Sequence, residues 1–224
     1  MTTETEPFLR KAHESLASAE NDVAAARFNS AANRAYYAAF QAAVAALSAE
    51  AIRPTGEAGW EHRFVMSQFS GRLIRARKLY PVGLRNALNI LFQLRLTADY
   101  RVANVSRKGA TESAAIARRM LESVTARLER LGVGESQVEY HDGVMETRTP
   151  ESLVEEVCST INSSFPDATV DVLQRGPRDF TLEVYDVDEM MDVYDTIGGV
   201  TSDILVDHDV WIVVLALGRR EDLN

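Results

Sequence analysis

Apolar residues recur every three or four positions through the first part of the chain. Phe8, Leu9, Ala12, Leu16, Ala19 and Val23 predict an amphipathic helix over 6 to 26, with Pro7 in its first turn. Tyr36, Phe40, Val44 and Leu47 place one buried stripe on a second helix, about 29 to 49, before Pro54, Gly56 and Gly59 break the pattern. Phe64, Val65 and Phe69 mark a shorter helix from about Trp60 to Ser70. The stretch "GRLIRARKLYPVG" then reads as a basic connector closed by Pro81. Leu84, Leu88, Leu91, Phe92 and Leu94 build a fourth helix to about Tyr100, and a last one, capped by Thr111, carries Ala115, Ile116, Met120, Val124 and Leu128 to a stop at Gly132. Helices joined by short connections predict a mainly α N-terminal domain, an antiparallel five-helix bundle.

Beyond Gly132 the period changes. Val138 to Arg148 reads as a short strand pair turning at "HDG", Pro150 opens a helix to Ser163, and Val170 to Leu173 is a strand. The run "DFTLEVYDV" alternates Phe180, Leu182 and Val184 with Thr181, Glu183 and Tyr185, the period of a half-buried strand. A helix about Asp188 to Ile197, a break at Gly198-Gly199, a strand "SDILV", a turn at "DHD" and a strand "VWIVVLAL" complete the pattern. A smaller α+β domain, ferredoxin-like as first choice, is expected over 150–224, with 1–131 the helical domain and 132–149 a linker.

Charge sharpens that division. The net charge is −9, but residues 1–131 hold 19 Lys and Arg against 12 Asp and Glu, a net of +7, while 132–224 hold 5 against 21, a net of −16. A basic half beside an acidic half makes the whole-chain balance a poor guide to nucleic-acid binding. The amino terminus has no basic region followed by an apolar core, and the single cysteine, Cys158, fits a small apolar core side chain in a reducing cytosol, so a cytoplasmic location is expected and no membrane span.

Candidate chemistry starts at "NRAYYAAFQ", residues 33–41, where Asn33, Arg34, Tyr37 and Gln41 flank the apolar stripe of the second helix. Arginine pairs with phosphate and tyrosine offers a stacking face, so this is a recognition surface or a polar network between helices. Arg72, Arg75, Arg77 and Lys78 form the densest basic cluster, either an RNA-backbone groove or a solvated connector. Asp203, Asp207, His208 and Asp209 resemble a mixed metal-ligand set, but "DHD" between apolar runs is better read as a turn. No phosphate-cradling glycine loop, CxxC pair or HExxH motif occurs, so neither metal nor cofactor is expected.

The run "AANRAYYAAFQAAVAAL", preceded by "SLASAENDVAAARFNSA" and followed later by "LFQLRLTADY", resembles the HEPN family over about residues 8 to 130. The resemblance implies a helical bundle that dimerises, often encoded beside a small nucleotidyltransferase in toxin-antitoxin, defence or stress systems, with some branches acting as metal-independent ribonucleases. Those branches pair an arginine with a histidine a few residues later at a basic dimer cleft. In this chain Gln41 follows Arg34, and Asp99 and Tyr100 follow Arg95, so the expected role is non-catalytic or weakly catalytic binding of RNA or a partner protein as a homodimer. Arg34, His62 and Arg95 are the catalytic candidates for the alternative, an endoribonuclease with a degenerate site; Asn33, Arg34, Tyr37, Gln41, Arg95, Asp99, Tyr100 and the basic cluster are the candidate groove. The acidic half has the outline of a decayed nucleotidyltransferase core as its second choice of fold, and a role as brake on the basic surface.

Overall fold

The computed structural model describes residues 5–55, 59–131, 148–217 and 219. Helices α1 (Thr5–Ala24), α2 (Phe28–Ala49), α4 (Ala87–Tyr100) and α5 (Arg107–Leu131) pack together, with the short α3 (His62–Gln68) laid across α2. The alanines of α2 explain its place. Ala31, Ala35, Ala38, Ala42 and Ala45 form one fully buried face, and Tyr36, Val44 and Leu47 are fully buried on the opposite one, so α2 is the central rod with neighbours packed on both sides. One apolar stripe was expected there; the small side chains around the rest of the circumference are equally core.

Two expected boundaries move. The helix that begins at α3 does not stop at Ser70: it continues as a π-helical segment, Phe69–Ala76, so the supposed basic connector is mostly helical and buries Phe69, Leu73 and Ile74. Nor does Thr111 cap α5. The helix starts four residues earlier at Arg107, and Ser106 Oγ accepts from the Gly109 N–H at 3.1 Å.

C-terminal to the bundle come α6 (Pro150–Ser164), β1 (Thr169–Gly176), β2 (Asp179–Tyr185), α7 (Met190–His208) and β3 (Trp211–Ala216). Thr149 caps α6 by accepting from the Ser152 N–H, with Pro150 in the first turn as expected. β1 and β2 form an antiparallel hairpin, Val172 opposite Leu182; β2 and β3 are parallel neighbours, Leu182 opposite Val214. A direct parallel pair is not the split crossover of a ferredoxin-like sheet, so that first choice of topology is corrected among the described residues. The strand pair expected at Val138 to Arg148 falls almost wholly on 132–147, outside the described residues.

The largest correction is α7. The Gly198-Gly199 pair does not end a helix and "SDILV" is not a strand: one 19-residue helix runs through both. The reason is tertiary. A Cβ on Gly198 would meet Asn86 Cβ at 3.3 Å and Ile90 Cγ1 at 3.4 Å, so the glycines let α7 lie against the start of α4. The Asn86 amide completes the contact, donating to the Gly198 carbonyl at 3.1 Å and accepting from the Gly199 N–H at 2.9 Å. At the other end Gly71 makes room for Val206, whose Cγ1 would lie 2.9 Å from an added Cβ. The "DHD" run is therefore the C-terminal end of α7, where Asp209 takes the left-handed conformation, φ 52° and ψ 34°, rather than a hairpin turn.

Sheet, α6, α7 and bundle share one continuous apolar core. Tyr194 ties three elements: its buried hydroxyl accepts from the Ala216 N–H at 3.1 Å and lies 3.3 Å from Thr97 Oγ1 of α4. Asn89 donates to Thr201 Oγ1 at 2.5 Å, and Ser70 and Ser202 share a contact at 3.1 Å across the same seam. Satisfied polar pairs inside such a seam select one register of α7 on α4, because each slip strands a buried group.

Candidate functional site

The "NRAYYAAFQ" face divides between two neighbours. Asn33 and Tyr37 border α4: Asn33 Nδ2 donates to both carboxylate oxygens of Asp99 at 2.7 and 2.9 Å, and the Arg95 guanidinium sits over the Tyr37 and Tyr36 rings, 5.2 and 5.5 Å from their centroids. Arg95 Nε lies 3.2 Å from Asp99 Oδ2, an ion pair without hydrogen-bond geometry. Asn33, Tyr37, Arg95 and Asp99 are therefore one cluster, with Tyr100 exposed at its end. Gln41 borders α1 instead, accepting from Ser15 Oγ at 3.0 Å. Arg34 is exposed, and its field helps hold the Asp22 carboxyl below the usual range, a shift caused first by the hydrogen bond from Ser30.

His62 is half-buried at the first turn of α3. Its Nδ1 lies 2.5 Å from the Tyr36 hydroxyl, and its ring packs against Tyr36, Phe40 and Phe92. Burial, then the nearby positive charge of Arg95, hold the imidazole below its ordinary pKa, so it is neutral near pH 7. Burial likewise raises the Tyr36 hydroxyl far above the usual tyrosine range. The second tyrosine of the motif faces Arg95; the first is the support of His62. Spacing on α2 shows Tyr36 as core, but its partner comes from beyond a loop and could not be read from the helix alone.

Half of the basic cluster is engaged. Arg75 pairs with Asp207 of α7, and Arg77 with the buried Glu50 at 3.1 Å, which Arg127 also holds at 3.0 Å. Arg72 and Lys78 are exposed. The pairing of Arg75 belongs to a wider pattern. Among the described residues, Arg63–Asp209, Arg75–Asp207, Arg85–Asp203, Arg101–Glu183 and Lys108–Asp192 all join a base of residues 1–131 to an acid of the C-terminal elements. Arg63 and Arg178 also donate to the last carbonyls of α7, where the helix dipole favours positive charge. Asp207 and Asp209, read in sequence as metal ligands or turn residues, are ion-pair partners. Among the described residues no group of three or more His, Cys, Asp or Glu is placed to hold a metal ion.

Beside His62 an open groove of about 500 Å³ is lined by Trp60, Arg63, Phe92, Asp179 and Trp211. It adjoins a second of about 390 Å³ between α4 and the sheet, sharing Phe92, Asp179 and Trp211. Sequence reading missed this region because its walls come from α3, α4, β2 and β3. Cys158 is half-buried and its thiol is pushed up by burial, as suits a packing residue.

Among the described residues no helix is long and apolar enough to cross a membrane. Comparison with curated proteins returns no match. The HEPN domain family matches residues 5–129, covering α1 through nearly all of α5 and including both the Asn33–Tyr37 and Arg95–Tyr100 runs that meet in the cluster described above. The chain belongs to the HEPN domain family.

Proposed function

We propose that this HEPN protein is a dimeric binding protein, non-catalytic or weakly catalytic, that holds RNA through the basic surface of its helical bundle. In this reading residues 1–131 are the binding domain, 132–149 a linker, and 150–224 an acidic regulatory domain that covers part of the basic surface in cis. The observation that carries it is the row of acids on α7 and its C-cap, Asp203, Asp207 and Asp209, seated on Arg85, Arg75 and Arg63. Carboxylates so placed compete with phosphates for the same guanidinium groups. Exposed pairs of this kind contribute only about 0–1 kcal/mol each, so they can be exchanged for phosphate contacts without unfolding the seam beneath. The setting is a toxin-antitoxin, defence or stress system, with a protein of nucleotidyltransferase type as a further candidate partner.

Catalysis is disfavoured by placement. Arg34 stands on the α1 side of α2, His62 on the α4 side with Nδ1 engaged by Tyr36, and Gln41 has no acid-base capacity. One observation favours the alternative of a degenerate metal-independent endoribonuclease: His62 is neutral near pH 7, lines an open groove and lies in the field of Arg95. Binding of labelled single-stranded RNA by the full chain, titrated against salt, separates the readings when RNA integrity is followed in chelator. The binding reading expects intact RNA and affinity that falls steeply with salt. Cleavage abolished by His62→Ala would replace it with the enzyme reading.

A further inference from the structure

β1 is the outermost strand of the sheet, and the register decides which of its backbone groups are open. The Leu217 N–H donates to the Val184 carbonyl and the Trp211 N–H to the Arg178 carbonyl, both at 2.8 Å, so the even-numbered residues of β2 turn their backbone groups towards β3. Thr181, Glu183 and Tyr185 therefore turn theirs towards β1, where they stand opposite Leu173, Asp171 and Thr169. Val170, Val172 and Gln174 are left with N–H and C=O directed outward, and among the described residues no hydrogen bond reaches them from that side.

Apolar surface gathers at the same edge. Among the described residues the large hydrophobic side chains left exposed are Val82, Tyr100, Val102 and Val172, and three of these four lie on or beside β1. Val172 is in the strand itself, Tyr100 lines the groove that Arg175 also lines, and Val102 follows Arg101, whose guanidinium holds Glu183 opposite Asp171. Strand edges are commonly blunted by proline or lysine, and β1 contains neither. The ladder slips after Gln174, which makes Arg175 the extra residue of a bulge on the α4 side of the sheet; among the described residues its side chain has no hydrogen bond or ion-pair partner. An open row of donors and acceptors with apolar flanks is the form of edge to which a further strand adds.

We infer that β1 pairs antiparallel with β1 of a second copy of the chain about a two-fold axis at Leu173, joining two three-stranded sheets into one. Outward groups must meet outward groups, so the axis has to pass through a residue rather than between two. Charge then chooses among the central positions. An axis at Asp171 sets that carboxylate against itself, and one at Val172 sets it against Leu173. An axis at Leu173 sets Asp171 opposite Arg175 on both sides, exchanges backbone hydrogen bonds between Val172 and Gln174, and brings the two leucines together. The inference deepens the dimeric part of the proposed function and rests on it, but not on the binding of RNA.

Sedimentation velocity of the full chain over a concentration series is expected to show a monomer–dimer equilibrium. Val172→Pro deletes an outward N–H twice per dimer while leaving the β1–β2 ladder whole, and should weaken association about ten-fold or more. Arg175→Asp weakens it likewise, and adding Asp171→Arg to that variant restores it. Cross-linking reads the register directly, in a Cys158→Ser background that removes the chain's single native thiol. Under mild oxidation Leu173→Cys gives a disulfide-linked dimer, because residues facing each other in a non-hydrogen-bonded pair have Cα atoms about 4.5 Å apart, within disulfide reach. Val172→Cys, displaced from its counterpart, does not. Circular dichroism melts confirm that each variant is folded. A dimer that Val172→Pro and Arg175→Asp leave intact, or cross-linking at Val172 in place of Leu173, overturns the assignment and leaves the dimeric reading standing; a monomer at every concentration overturns both and leaves the edge to a strand of another protein.

Discussion

At the scale of single residues, the Tyr36–His62 contact joins the helical motif to its surroundings. Tyr36 is fully buried and its hydroxyl lies 2.5 Å from His62 Nδ1. Tyr36→Phe leaves that half-buried nitrogen without its bond, and urea denaturation is expected to show a loss of about 1–3 kcal/mol. The histidine also sets a pH dependence whose sign is determined. Its pKa is lower folded than unfolded, so between those values the unfolded chain binds the additional proton and stability rises with pH. The contribution is fully present above the ordinary value of 6.5 and is lost as pH falls below it towards the folded pKa. Urea midpoints measured from pH 7.5 to 5 should fall with acidification in the wild type and flatten in His62→Gln; an imidazole titrating above 6.5 by NMR would contradict the burial argument. The missing histidine after Arg34 was legible in the sequence, since it needs only counting along one helix. The role of His62 was not, because it depends on contacts between residues 26 positions apart.

Between elements, small residues decide what packs. Periodicity located α1, α2 and α6 closely because one apolar face per helix is enough to predict them. It failed at α7 because glycine is a helix breaker only when judged locally; at Gly198 the local cost of about 1 kcal/mol is outweighed by contact with Asn86 and Ile90. Gly71→Leu and Gly198→Leu are each expected to lower stability by about 1–3 kcal/mol through overpacking, read as a shifted denaturation midpoint. Gly83 is the control. An added Cβ there meets nothing within 4 Å, so Gly83→Ala should be neutral or mildly stabilising, up to about 1 kcal/mol. Equal destabilisation at all three sites would show that the close approach of α7 is not the cause.

In the whole molecule, the opposed charges of the two halves are brought face to face. The sequence showed the imbalance, +7 against −16, but not which acids meet which bases; that came from α7 running as one helix past α3, the π segment and α4. Apolar burial holds the seam, and its exposed ion pairs, weak individually, govern competition with other anions. One charge change is therefore expected to act differently on two properties. Asp203→Asn with Asp207→Asn should change stability by only about 1 kcal/mol, since the pairs are partly exposed. The same pair of substitutions should tighten RNA binding by freeing Arg85 and Arg75. The most direct measurement is fluorescence anisotropy of a labelled single-stranded RNA titrated with full-length wild type and with this double variant at low and moderate salt, in chelator, with the RNA checked for integrity. The account predicts intact RNA, salt-sensitive binding and tighter binding by the variant; no binding at low salt by either protein, or equal affinity for both, would contradict it.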